Sequence, residues 1–89
     1  MTAGKAIADG WLGFDGAAQL ADGAVKAGYL HGPPAATASQ DLKLASASLT
    51  AATSAYQAGK GDTATQIAAA AAAVAEVLTI VGQAEKGAQ

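Results

Sequence analysis

Residues 62–82 read DTATQIAAAAAAVAEVLTIVG, and the spacing of the large residues in this run decides the fold. Ile67, Val74, Val77, Leu78 and Val81 recur at three- and four-residue steps or their multiples, which places them on one face of an α-helix. Alanine, the strongest intrinsic helix former, fills most of the remaining positions. Thr63-Ala64-Thr65-Gln66 fits a capping box, in which hydroxyl and amide side chains satisfy the free N–H groups of a helix start. The run therefore predicts a helix over 62–82, closed by Gly82 and followed by a polar tail, 83–89, that frays.

The same four-residue signature stands one helix earlier, as Thr37-Ala38-Ser39-Gln40. Behind it Leu42, Ala45, Leu49, Ala52 and Tyr56 form a second stripe, and Gly59-Lys60-Gly61 supplies a stop. A helix over 36–58 follows. Ahead of it, Pro33-Pro34 is the strongest punctuation in the chain, because proline lacks an N–H and clashes with a preceding helical turn. The first interhelix loop belongs there.

Upstream, Ile7, Trp11, Phe14, Ala18, Ala21, Val25 and Tyr29 step by four, three, four, three, four and four. This is one stripe of a helix over 3–28. Gly10, Gly13, Gly16 and Gly23 interrupt it. Each costs roughly 1 kcal/mol relative to alanine, so packing must hold this helix, and 10–16 is where it would break. Short connections between neighbouring helices favour antiparallel packing. The fold class expected for residues 1–89 is all-α, a single antiparallel three-helix bundle that self-associates. Trp11, Phe14, Leu49, Tyr56, Ile67, Val74 and Leu78 are its expected core.

Composition excludes several functions. Five lysines, no arginine and a net charge of −2 leave no basic patch for phosphates, so no nucleic-acid partner is expected. Without cysteine there are no disulfides, no thiol chemistry and none of the usual structural zinc sites. His31 is the single histidine and reads as a solvated loop residue. Asp15 and Asp22 share one side of the first helix but flank the apolar stripe as edge positions, so they do not read as an acid–base pair. The glycines of the first helix follow no strand and precede no Gly-Lys-Ser/Thr, so a phosphate loop is excluded. No catalytic residue, cofactor-binding residue or metal ligand is expected, and the protein is read as a non-enzyme.

Two readings concern membranes. The N-terminus, MTAGKAIADG, carries glycines and an aspartate where a signal peptide would have an apolar run. The apolar run 67–81 falls short of the roughly 20 residues a span needs and holds Glu76 near its middle, so no membrane span is expected.

The surface gives the most specific reading. No charge falls between Lys43 and Lys60, and between Asp62 and Glu85 the only one is Glu76. Water-facing helix faces usually carry charge. Here the outward positions are small: Ser46, Thr50, Thr53, Ser54 and Gln57, then Ala68, Ala72, Ala75 and Thr79. The first helix presents Leu12, Leu20 and Gly16 opposite its Trp11 stripe. Small residues let helices approach closely, and exposed leucines among them mark contact. Leu12, Gly16, Leu20, Ala68, Ala72 and Ala75 are the expected interface residues, in a homo-oligomer or a larger protein assembly.

Residues 41–52, DLKLASASLTAA, and 55–64, AYQAGKGDTA, followed by the alanine-rich helix, resemble small helical proteins of bacteriophages and prophages from high-GC proteobacterial hosts. That resemblance implies a virion component or a phage accessory protein, in the host cytoplasm or the particle. It assigns no functional residue. A structural or assembly role is the first expectation. A small module that sequesters a host protein or a small ligand is the alternative.

Overall fold

The structure is a computed structural model that describes residues 3–59 and 63–87. Three helices make it up: α1, Ala3–Ala27; α2, Gly32–Gln57; and α3, Ala64–Gly87. Each helix packs on the other two, and the described residues contain no strand. The fold is an all-α helical bundle.

α1 runs unbroken through Gly10, Gly13 and Gly16. One of these glycines is required by packing: a Cβ at Gly10 would lie 2.7 Å from Leu49 Cδ2, and Leu49 is fully buried. α1 ends at Gly28, whose φ of +90° is a conformation L side chains rarely adopt. Its N–H donates to the carbonyls of Ala24 and Val25, and the N–H of Leu30 returns to Ala24 O at 3.2 Å. This turn drives Leu30 into the core, where it is 2% exposed.

α2 starts at Gly32, so Pro33 and Pro34 open the helix instead of filling the loop. Their fixed φ suits a first turn, and the N–H they lack would be unpaired there anyway. Thr37 and Gln40 consequently lie inside α2 and cap nothing. The cap position is His31, in extended backbone with no side-chain bond. At the far end Gly59, with φ of +75°, donates its N–H to Tyr56 O. Lys60, Gly61 and Asp62 of the expected stop and start lie outside the described residues.

Thr63 stands directly before α3 and is buried, and its carbonyl accepts the N–H of Ile67 at 3.0 Å. That bond is an ordinary backbone one, and the return bond of the expected capping box is not made: Gln66 Oε1 is closed off from solvent without a donor. α3 also continues past Gly82 as far as Gly87, through residues read as tail. Ala84 packs against the core cluster around Val81, which offsets the cost of Gly82.

Two adjoining clusters form the core. One holds Ala17, Ala21, Ala24, Leu30, Ala38, Val77 and Val81; the other holds Ala45, Leu49, Ala70 and Ala73. Alanines on all three helices bring the axes together and leave room for few large side chains between them. That geometry turns α1 slightly from its expected stripe, so that Ala17, Ala21 and Ala24 face inward and Val25 is exposed. Tyr56, at 52%, and Leu78, at 44%, are likewise exposed instead of buried. Trp11 and Phe14 are half-buried at the edge of the second cluster, edge to face with ring centres 5.7 Å apart. Trp11 Nε1 donates to Thr53 Oγ1 at 3.2 Å, and Thr53 Oγ1 donates in turn to Leu49 O at 2.8 Å.

α3 is 24 residues long with a mean hydropathy of 1.8 over its most apolar window, enough by length and composition to cross a membrane. The run judged short in the sequence was bounded at 67 and 81, and the helix extends beyond both. Core helices that are mostly buried pass the same test, and of this window 22% is buried inside the bundle.

Candidate interaction face

The flank between α1 and α3 holds an apolar groove of about 390 Å³. Gly10 and Gly13 line its α1 wall, Ile67, Ala71, Val74, Ala75 and Leu78 its α3 wall, and Asp9 is the one charged residue. At Gly10 and Gly13 the α1 wall has no side chain to fill it. Nothing lies within 4 Å of where a Cβ would sit on Gly13, Gly16 or Gly23.

Of the six residues expected to make contacts, Ala75 lines this groove. Gly16 and Leu20 continue the Gly13 side of α1 at helical spacing, and both are exposed. Ala68 and Ala72 are exposed on α3, and Leu12, at 72%, is the most exposed of the large apolar residues. The structure thus groups Ala75 with Gly13, and it leaves Leu12, Ala68 and Ala72 outside the groove. Sequence reasoning missed the roles of Ile67 and Leu78, assigned to the core but placed on the groove wall. The signal was available in Val77 and Leu78: neighbours in sequence point about 100° apart on a helix, and only one of them can face a narrow core.

The candidate chemical groups are dispersed. Asp15 accepts from Gln19 Nε2 at 3.1 Å, and Asp22 pairs with Lys26 at 2.9 Å, both one helical turn apart and in solvent. The hydrogen bond and charge of Asp22 hold the Lys26 ammonium above its ordinary range. Such exposed pairs contribute little to stability. His31 lines a separate cavity of about 650 Å³ with Tyr29, Pro33 and Pro34, and no carboxylate shares that lining. Among the described residues no group of three His, Cys, Asp or Glu side chains is placed to hold a metal ion.

One cluster was not foreseen. Asp41 of α2 meets Glu76 of α3, and the hydrogen bond and charge of Asp41, followed by desolvation, push the Glu76 carboxyl above its ordinary range. Glu76 is exposed, while Asp41 Oδ2 is closed off from solvent with no donor.

No protein-family model, curated protein or solved structure matches this chain.

Proposed function

We propose that this chain is a non-enzymatic structural subunit, a small antiparallel bundle that self-associates or joins a larger particle of the phage type. The α1–α3 groove, with Asp9 as the one charged residue among its lining, carries the reading. Glycine and alanine make up most of its lining where a water-facing flank would carry charged side chains, Ile67, Val74 and Leu78 add apolar bulk to the α3 wall, and Leu20 stands exposed beside it. The antiparallel course of α1 and α2 is supported by pairings that run in opposite directions: Gly4 lies against Tyr56, Gly10 against Leu49, and Trp11 bonds Thr53. Contacts to other copies run through Gly16, Leu20 and Ala75, extended by Leu12, Ala68 and Ala72. Scattered lysines leave nucleic acid out of the role, and Glu76 at the middle of α3 disfavours a bilayer location.

Absolute mass by light scattering over a concentration series tests the proposal. A defined oligomer that persists on dilution is expected. Ala75→Glu puts a charge in the groove and is expected to lower the mass to that of the monomer, with helicity by circular dichroism unchanged. A monomer at every concentration, or full assembly by the variant, would count against this face.

The groove also supports a second reading, a module that sequesters an apolar ligand or segment, because its size lies within the range of small-molecule sites. Native mass spectrometry of the purified protein separates the two: a bound small molecule favours sequestration, and a bare multiple of the chain mass favours assembly.

A further inference from the structure

We propose that Asp41 and Glu76 share one proton across the α2–α3 contact and form a clasp that tightens in acid. The geometry comes first. Glu76 lines a cleft with Thr37 of α2 and with Ile80, Gln83 and Ala84 of α3. Asp41 follows Thr37 by one helical turn on the same side of α2. Its Oδ2 is excluded from solvent and has no donor. Two ionised carboxylates facing each other are acceptors only, so the buried oxygen stays unpaired and like charges repel. One proton on Glu76 changes both: the O–H donates to Asp41, and the repulsion ends.

Among the described residues no cation lines the cleft. Lys43, the lysine nearest in sequence on α2, lies on the other side of that helix, in a cavity with Phe14, Leu42 and Ser46. On α3 the cleft contributes Gln83, which is neutral, while Glu85 and Lys86 lie further along and outside the cleft lining. α1 offers Ala17, Ala21 and Ala24 to this part of the core, and its Asp22–Lys26 pair is in solvent. From the loop, His31 lines the adjoining cavity, which shares Pro33, Pro34 and Ala84 with the cleft.

The direction with pH follows. The folded chain holds the Glu76 proton more tightly than the unfolded chain does. The clasp is therefore complete below the ordinary value of 4.5 and is lost as pH rises through the higher folded value.

Two measurements on the full chain test this. In the first, thermal unfolding is followed from pH 4 to pH 7 at fixed protein concentration for wild type, Glu76→Gln and His31→Gln. Wild type is expected to lose midpoint temperature as pH rises. Glu76→Gln, whose amide donates to Asp41 at every pH, is expected to abolish that loss and to exceed wild type at pH 7; His31→Gln is expected to retain the loss. In the second, the side-chain carboxyl carbon of Glu76 is titrated by NMR, and Asp41→Asn is expected to shift its midpoint downward. An unchanged pH dependence in Glu76→Gln, or an unchanged Glu76 midpoint in Asp41→Asn, would overturn the proposal.

Discussion

The two flanks of α1 put glycine to opposite uses. Toward α2, Gly4 lies against the ring of Tyr56 and Gly10 against Leu49, so the missing side chains are space that another helix occupies. On its other positions Gly13, Gly16 and Gly23 meet nothing, and Gly13 leaves part of the groove beside α3 open. A glycine in a helix costs roughly 1 kcal/mol wherever it stands. At Gly10 the intramolecular contact with Leu49 offsets it. At Gly13 and Gly16 no contact within the chain does, which is why that flank is the better candidate for an external partner.

Substitutions on each side of this contrast give graded outcomes. The largest effect is expected at the filled flank from Leu49→Ala. It empties the space beside Gly10 at a fully buried site and should destabilise by about 2–5 kcal/mol in urea unfolding. Gly10→Ala comes next. The added methyl meets Leu49 Cδ2 at 2.7 Å, and overpacking costs about 1–3 kcal/mol against a helix-propensity gain of up to about 1 kcal/mol. A net loss is expected, and a net gain would mean that Leu49 yields freely and the contact is loose. The smallest effect has the opposite sign. Gly23→Ala adds a methyl to open space and should stabilise by about 0.5–1 kcal/mol. Gly16→Ala in the same assay sharpens the contrast. It should match Gly23→Ala in the monomer and weaken assembly if the open flank is a contact surface.

The sequence made the helix count and approximate helix positions legible because apolar spacing and Gly/Pro punctuation are local signals. It misread the details that depend on the neighbouring helix. Thr37-Ala38-Ser39-Gln40 satisfies a capping rule, yet Pro33 and Pro34 start the helix earlier, and a local motif carries no information about which of two adjacent starts prevails. Ranking core residues by size failed at Tyr56 and Leu78, and the stripe of the first helix failed at Val25, because alanine at the helix crossings leaves bulk to the edges. Leu30 escaped notice as a loop residue, although the turn at Gly28 makes it one of the most buried side chains. The interface residues were chosen from missing charge, and all six are exposed. The meeting of Asp41 with Glu76 was beyond reach, since it requires knowing how α2 and α3 are registered.

The alanine-built core also determines how this protein responds to temperature. Leu30, Leu49 and Val77 are the largest side chains that are fully enclosed, and the other buried apolar residues are chiefly alanine. Unfolding such a core hydrates little apolar surface per residue, and it is apolar hydration that raises the heat capacity of the unfolded chain. The increment should therefore lie below the usual ~12–15 cal/mol/K per residue. A small increment flattens the curve of stability against temperature, so a bundle with a modest maximum keeps most of it across a wide thermal range.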